Sequence, residues 1–200
     1  MKYNFIEIGT ANFYTCIESA TDDTIGLSIE PISYYINQLP NKKNVIKGCY
    51  GISKNNIEEE DEVYYIPEKI IIDNNLPIWL GGCNAVGDFH KQHIWRNLEK
   101  YVVKEKIKLY PISYIFETYD ITECEYFKLD TEGSDSFIIE HLINYLKTKP
   151  SSFYPKRINF ETNVLSTEER VEYAKNLLLD LGYRIESYKY GNDDSMFVYL

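Results

Sequence analysis

The sequence predicts an α/β fold in which a mostly parallel sheet is flanked by helices and completed by a C-terminal antiparallel hairpin. Three features lead to this prediction. Short apolar segments recur along the chain, most of them lead through a turn into a helix-like segment, and the last two are joined by a turn alone. Strands that alternate with helices favour a parallel sheet. Ligands bind such sheets outside the carboxyl ends of the strands, so we expect functional residues just after each strand.

The N-terminal part of the chain alternates three strands with two helices. The predicted strands are residues 3–8, 24–29 and 44–49, and the predicted helices are residues 12–20 and 32–39. Thr10 or Asn12 is the candidate cap of the first helix. Pro31 suits the first position of the second helix and Pro40 ends it, because proline fits the first turn of a helix but not its interior.

The C-terminal part of the chain resumes this alternation. The predicted strands are residues 126–129, 157–160, 183–188 and 195–199, and the predicted helices are residues 134–146 and 167–181. The second of these helices has apolar residues at helical spacing, among them Val171, Ala174 and Leu178, and Gly182 is placed to end it. Residues 191–194 are predicted to form the turn of a hairpin between the last two strands.

Residues 54–106 have a less regular pattern. We expect a hairpin or irregular edge structure from residues 63–66 and 69–72, a loop over residues 79–93, and a helix over residues 94–106. The acidic run at residues 58–62 is interpreted as a solvated loop, because blocks of like charge favour exposure to water. We expect one domain over residues 1–200, with residues 54–106 as an insertion.

The composition argues against several classes of protein. Lys and Arg total 21 against 31 Asp and Glu, which gives a formal net charge of −10 and disfavours nucleic-acid binding. The sequence contains no run of about 18 apolar residues, so no membrane span is predicted. The first residues lack the features of a signal peptide, so we expect a cytoplasmic protein. The four cysteines lack the spacing of zinc sites and are expected to be buried thiols.

The turn after the first strand and the end of the second strand form a candidate cofactor site. Gly9 lets the backbone approach a ligand closely, because glycine has no Cβ atom. Glu7 can accept hydrogen bonds from an ammonium group, and Glu30 can accept both ribose hydroxyls of a nucleoside. Gly9 and Glu30 lie on consecutive strands at a suitable separation. The alternative is an ordinary strand-to-helix turn, since dinucleotide-binding loops carry three glycines.

A second candidate site follows the strand at residues 126–129. Asp130 and Glu132 lie close together in a turn, and Gly133 leads the chain into a helix. Paired carboxylates can bind a metal, orient a hydroxyl group, or act as acid and base. The alternative is that Asp130 caps the next helix and Glu132 is exposed to solvent.

Several segments match the order and spacing of one protein family. They are residues 5–9 (FIEIG), 28–31 (SIEP), 127–133 (FKLDTEG), 155–161 (PKRINFE), 181–183 (LGY) and 194–198 (DSMFV). On these motifs the chain resembles the FkbM-type methyltransferases from about residue 3 to residue 199. The LDTEG and EP motifs are the specific part of this resemblance. The chain departs from the family pattern at Thr10 and Ala11, where many members have Ala-Asn-Xaa-Gly.

The resemblance implies a Rossmann-like fold and S-adenosyl-L-methionine (SAM) as cofactor. The acceptor would be a hydroxyl group of a sugar or another small metabolite, and residues 54–106 would lie on the acceptor side. Glu7, Gly9 and Asn12 would hold the methionine end of SAM, and Glu30 its ribose. Residues 79–84 (WLGGCN) and a later histidine resemble a stretch found in part of the family. The residues expected to face the acceptor are Asn84, His90, Asp130, Glu132 and Glu161.

An alcohol must lose a proton during methyl transfer, so a nearby base is expected. His90 is the favoured base, with Asp130 or Glu132 as positioning groups, because an unperturbed histidine pKa near 6.5 suits proton removal at neutral pH. The alternative is that His90 and His93 are loop residues without a role and the acids carry the chemistry. No metal is expected unless Asp130, Glu132 and Glu161 converge.

Two other functions stay open. A catalytically inactive relative that serves as a scaffold is compatible with the degenerate first loop. An RNA-cap methyltransferase is disfavoured by the negative charge. It is also disfavoured because no catalytic lysine stands out among the strand-end acids, and Lys128 is expected to point to the other face of the sheet.

Overall fold

The structure is a computed structural model that describes residues 1–11, 14–191 and 194–199. Its strands are β1 (Lys2–Ile8), β2 (Gly26–Ile29), β3 (Val45–Gly48), β4 (Gly51–Ile52), β5 (Glu59–Tyr65), β6 (Ala85–Val86), β7 (Val103–Tyr110), β8 (Glu123–Leu129), β9 (Arg157–Glu161), β10 (Tyr183–Ser187) and β11 (Asp194–Tyr199). Its α-helices are α1 (Cys16–Ser19), α2 (Ser33–Gln38), α3 (Glu68–Asp73), α4 (Lys91–Trp95), α5 (Ile112–Thr118), α6 (Asp135–Leu146) and α7 (Glu168–Asp180). None of the helices in these ranges is long and apolar enough to cross a membrane.

The main sheet has seven strands in the order β10-β11-β9-β8-β1-β2-β3. The five strands from β9 to β3 in this order are parallel, and β11 runs antiparallel to both β9 and β10. This confirms the mixed α/β architecture, the mostly parallel sheet and the C-terminal hairpin that the sequence predicts. The centre of the predicted hairpin turn, residues 192–193, lies outside the described residues.

The central strands form because their side chains are buried on both faces of the sheet. Residues 5–8 of β1 and all four residues of β2 are buried. Such continuous buried runs are typical of parallel strands covered by helices. Helix α6 buries Ile138, Ile139 and Leu142 in the same core as β8 and β9, and α7 adds Leu178.

The first helix is shorter than predicted. Helix α1 begins at Cys16, because Tyr14 has a left-handed backbone (φ 55°) and Thr15 is extended, so neither continues a helix. The carboxylate of Glu18 accepts a hydrogen bond from the Thr15 amide and so satisfies an N–H group at the start of the helix. The predicted cap and cofactor residue Asn12 lies outside the described residues.

Residues 54–106 contribute most of a second sheet, so the hairpin and the helix predicted there are wrong. The predicted loop over residues 79–93 is largely irregular, and it includes part of a 3₁₀ helix at Ile78–Gly82, the short strand β6 and the start of α4. The second sheet has the order β4-β7-β5-β6, and β5 pairs antiparallel with β7 over seven residue pairs. Residues 69–72 belong to helix α3, and residues 103–106 belong to β7. The predicted helix over residues 94–106 ends at Trp95 as the short helix α4, and is followed by a 3₁₀ turn at residues 99–101.

The acidic run is also a correction, because residues 59–62 lie in β5 rather than in a solvated loop. Two of its acids face lysines across the strand pair: Glu60 is opposite Lys108, and Glu62 is opposite Lys106. Opposite charges at directly paired positions stabilise a sheet and remove the like-charge repulsion that favours a loop. The intervening residues point to the other face of this sheet.

The parallel strands end at one edge of the main sheet. Gly9 follows β1, Glu30 follows β2 and Asp130 follows β8, while Glu161 is the last residue of β9. The sheet therefore brings four of the predicted site residues to the same edge.

Candidate active site

The turn after β1 and the carboxylate of Glu30 are joined by hydrogen bonds. Glu30 accepts from the amide of Ala11 through Oε2 (2.8 Å) and from the amide of Ile32 through Oε1 (2.9 Å). Burial raises the pKa of Glu30 to about 7, although both amide donors oppose this shift. Gly9 has a left-handed backbone (φ 81°), and a Cβ atom on it would lie 1.9 Å from the carbonyl oxygen of Asp130. Only glycine fits this turn.

Glu7 lies behind this turn and does not line the cleft described below. Its side chain is fully buried, and its carboxylate accepts from the Cys16 amide (2.8 Å) and from Lys128 Nζ (3.1 Å). Burial raises the pKa of Glu7, while Lys128 opposes the shift. Lys128 Nζ also lies 3.6 Å from Asp130 Oδ2, so its side chain reaches the acid at the end of β8. The prediction that Lys128 points to the other face of the sheet is therefore wrong. The expected contact of Glu7 with a ligand's ammonium group stays a prediction.

The loop after β8 is held by a buried carboxylate that sequence reasoning missed. Asp135 is fully buried and accepts from the Thr131 amide (3.2 Å) and from Thr131 Oγ1 (2.9 Å). Burial, followed by the charge of Asp130, raises the pKa of Asp135. The sequence did contain a signal for this contact: Thr131 and Asp135 are four residues apart, with Gly133 between them. Between them Glu132 adopts a left-handed backbone (φ 54°), which is uncommon outside glycine and clusters at functional sites.

His90 lies next to Glu132 and has both ring nitrogens engaged. Its Nδ1 atom accepts from the Gln92 amide (3.1 Å) at the start of α4, and its Nε2 atom lies 3.0 Å from Glu132 Oε2. A neutral histidine that accepts at Nδ1 carries its proton on Nε2, so Nε2–H donates to the Glu132 carboxylate. Burial, with a smaller effect from Lys91, lowers the pKa of His90 to about 4. His93 is fully buried beside it, with the two ring centroids 5.6 Å apart.

Three carboxylates converge at the ends of β8 and β9. Oxygens of Asp130, Glu132 and Glu161, here called the acid cluster, lie within 4.8 Å of one another and form the one group in the described part of the chain able to hold a metal ion. Oxygen ligands of this kind suit a hard divalent cation. Burial, followed by the charge of Glu132, raises the pKa of Glu161 well above its ordinary value. The side-chain amide nitrogen of Asn163 (Nδ2) donates a hydrogen bond to Glu161 Oε1. The three acids therefore meet the condition of convergence that the sequence analysis sets for a metal site, and Lys128 lies beside one of them, Asp130.

A cleft opens at this edge and contains about 980 Å³ of empty space, part of it open to solvent. The main-sheet wall is lined by Ile8, Gly9, Thr10, Ala11, Glu30, Pro31, Ile32, Asp130, Thr131, Glu132 and Ser134. The other wall comes from residues 51–63, 82–86 and Leu109, and includes Asn84. The cleft thus unites Gly9, Glu30, Asn84, Asp130 and Glu132, whereas Glu7, His90 and Glu161 lie outside its lining.

Two cleft residues on β5 were missed by sequence reasoning. Glu59 and Asp61 alternate along the strand with the acids that face lysines, and they line the cleft together with Val63. The alternating pattern that ends in Val63 was the signal, because side chains two residues apart share one face of a strand. Asn84 adds a second polar group: its Nδ2 donates to the Gly81 carbonyl (3.2 Å), while its buried Oδ1 has no hydrogen-bond partner among the described residues.

Comparison with known proteins gives one match. The family model for the methyltransferase FkbM domain matches residues 7–185, a range that includes every residue of the cleft. No curated protein and no solved structure matches the chain.

Proposed function

Because the chain belongs to the FkbM methyltransferase family, we propose that it transfers the methyl group of SAM to a hydroxyl oxygen of a small acceptor. The observation that supports this proposal is the cleft, in which the Gly9 turn, Glu30 and the loop after β8 share one wall. The second sheet supplies the opposite wall. We propose that residues 1–200 act as one methyltransferase domain and that residues 54–106 form its acceptor side.

The lining of the cleft fits SAM chemically. Five carboxylate side chains line it against one lysine: the carboxylates are Glu30, Glu59, Asp61, Asp130 and Glu132, and the lysine is Lys54. When bound, SAM supplies an electrophilic methyl group on a positively charged sulfur. An acidic cleft attracts a cationic ligand and repels a polyanion, which supports a small acceptor over an RNA cap. Glu30 would accept the ribose hydroxyls, since each of its oxygens uses one lone pair on a backbone amide and keeps another.

Two groups are placed to orient an acceptor hydroxyl. The Oδ1 atom of Asn84 can accept a hydrogen bond from the acceptor, which would satisfy a buried oxygen that otherwise has no partner among the described residues. Glu132 lines the cleft, and its carboxylate is held by His90. Methyl transfer is an in-line displacement, so holding the oxygen in line with the methyl group is the main contribution of the protein.

We infer that Glu132 accepts the proton of the hydroxyl group and that His90 positions Glu132. The sequence favoured His90 as the base. Its Nδ1 lone pair accepts from the Gln92 amide and its Nε2 carries a proton, so in the neutral ring neither nitrogen offers a lone pair to the hydroxyl proton. The Glu132 carboxylate is an acceptor and lines the cleft, whereas His90 does not.

The test is a screen of hydroxylated metabolites with methyl-labelled SAM, followed by variants assayed on an accepted substrate. Glu132→Gln should lower kcat by about 10²–10⁴-fold, the usual effect of removing a general base. His90→Ala should lower kcat less, and His90→Gln, which keeps an N–H donor, should recover part of the loss. Full activity in Glu132→Gln together with loss in His90→Ala would return the role of base to His90. Absence of methyl transfer to every acceptor class would favour the scaffold alternative.

A further inference from the structure

The acids on the two faces of β5 differ in their neighbours. On the outer face, each acid has a lysine opposite it on β7, as described above. On the cleft face, Asp61 lies opposite Ile107 and Glu59 lies opposite Leu109, so the paired residues are apolar. The lysine of the cleft lining, Lys54, is exposed to solvent, which screens its charge. The pairing of β5 with β7 therefore compensates the outer acids and not the acids that line the cleft.

Asp61 has a carboxylate oxygen left for a ligand. Its Oδ1 atom accepts a hydrogen bond from the Glu62 amide (2.7 Å), whereas its Oδ2 atom has no hydrogen-bond partner in the described part of the chain. A Cβ atom on Gly87 would lie 3.3 Å from this Oδ2 atom, so the glycine leaves the oxygen uncovered. Glu59 differs, because its carboxylate already accepts from Asn55 Nδ2 (3.2 Å).

Asn84 presents a second acceptor on the same wall. Val86 pairs with Val63, so Asn84, two residues before Val86, lies on the same face of the second sheet as Val63 and Asp61, and all four line the cleft. The Asn84 Nδ2 atom is used by the Gly81 carbonyl, and its Oδ1 atom has no partner among the described residues. The open atoms of Asn84 and Asp61 are thus both acceptors, which favours a ligand group rich in donors. An ammonium group has donors only, and its charge would balance that of Asp61.

Neither SAM nor a metal ion accounts for Asp61. The residues expected to hold SAM, Gly9 and Glu30, belong to the opposite wall of the cleft. The group of acids able to hold a metal ion is the acid cluster, which does not include Asp61. The charge of Asp61 therefore remains for the acceptor.

We propose that Asp61 binds an ammonium group of the acceptor, so that the substrates are hydroxylated amines such as amino sugars. This inference rests on the proposed function and narrows its acceptor class. A nitrogen held as an ammonium group has no lone pair, so the hydroxyl oxygen is the nucleophile. The bond from the methyl carbon to the oxygen forms as the bond to the sulfur of SAM breaks. The hydroxyl proton passes to Glu132, and S-adenosylhomocysteine leaves.

Calorimetry on the full chain saturated with S-adenosylhomocysteine tests the ammonium site with matched sugars. Glucosamine is compared with glucose and with N-acetylglucosamine, which keeps the nitrogen but not the charge, and galactosamine is compared with its two counterparts in the same way. We expect the amino sugars to bind at least about tenfold more tightly, because hydrogen bonds between charged groups are about twice as strong as neutral ones. Asp61→Asn should remove this preference. Glu60→Gln is the matched control, since it removes an acid from the outer face of the same strand and should keep the preference.

The same sugars are then assayed as acceptors with methyl-labelled SAM. We expect label on an oxygen of the amino sugars, located by mass spectrometry, and a kcat/KM at least about tenfold lower in Asp61→Asn. Amino sugars that bind through Asp61 but receive no methyl group would support the ammonium site and contradict the proposed function.

Three results would overturn the inference. The first is equal binding of charged and neutral sugars, or binding of neither. The second is methyl transfer to the neutral sugars alone, which would leave the proposed function intact. The third is a loss of affinity for S-adenosylhomocysteine in Asp61→Asn, because Asp61 would then hold the ammonium group of the cofactor and not that of the acceptor.

Discussion

Replacing Gly9 by alanine tests the turn on which the candidate cofactor site depends. The new Cβ atom would lie 1.9 Å from the carbonyl oxygen of Asp130, where real Cβ contacts are essentially never shorter than 3.0 Å. The turn after β1 and the loop after β8 must therefore separate by about 1 Å or more. Both line the same wall of the cleft, so the change deforms the ligand site as well as the fold.

The cost of Gly9→Ala has two parts. An alanine held at the left-handed backbone of Gly9 costs about 1–2 kcal/mol, and forcing an atom into a packed contact costs about 1–3 kcal/mol. Gly191 is the matched control, because it has a similar backbone (φ 86°) but no atom of the described residues within 4 Å of its added Cβ. Gly191→Ala should therefore cost about 1–2 kcal/mol only. The loss of freedom in the unfolded chain is common to both variants and cancels in the comparison.

Urea unfolding and titration with S-adenosylhomocysteine measure the two consequences. We expect Gly9→Ala to lose about 2–5 kcal/mol of unfolding free energy and at least about tenfold in affinity, since a displacement of 1 Å can abolish productive binding. Gly191→Ala should keep the affinity of the unmodified protein. Equal stabilities of the two variants, or unchanged affinity in Gly9→Ala, would refute the close contact between the turn and the loop after β8.

Three further predictions concern charge. The pKa of Glu30 is about 7 in the unliganded protein, and the ionised carboxylate is the stronger hydrogen-bond acceptor. Calorimetry should therefore show an affinity for S-adenosylhomocysteine about tenfold weaker at pH 6 than at pH 8. In Glu30→Gln this pH dependence should vanish. Lys128→Met should lower the free energy of unfolding in urea by about 3–5 kcal/mol, because it leaves Glu7 buried without its cation. Adding Glu7→Gln to the Lys128→Met chain should restore most of this loss. Turnover should fall in EDTA and recover with magnesium or calcium, because Asp130, Glu132 and Glu161 converge, the condition under which the sequence predicts a metal site; turnover that persists in EDTA would show that the acid cluster needs no ion.

The main sheet was predictable because its strands carry a local signal. The apolar runs around Ile6, Leu27 and Phe127 are buried whatever their neighbours, and the glycine and acids that follow them mark the strand ends. Since the carboxyl ends of parallel strands meet at one edge, Gly9 and Glu30 could be assigned to one site from the sequence alone.

The second sheet was not predictable because its signal lies in partner strands. The acids of β5 become favourable only opposite the lysines of β7, about 45 residues further along the chain. The isoleucines at 70–72 have a composition typical of a strand, but their surroundings make them part of a helix. The positioning role of His90 was not predictable for the same reason, because it depends on residues distant in the sequence. Burial sets the pKa of His90, and its contacts with Gln92 and Glu132 decide which ring nitrogen carries the proton.

Calorimetric titration of the purified protein with S-adenosylhomocysteine tests the central claim most directly. We expect saturable binding at one site with a micromolar dissociation constant. Glu30→Ala should weaken this binding by about 1–3 kcal/mol, because the ribose hydroxyls lose a charged acceptor. No heat of binding with ligand at millimolar concentration would contradict the account and leave a methyltransferase fold that serves as a scaffold.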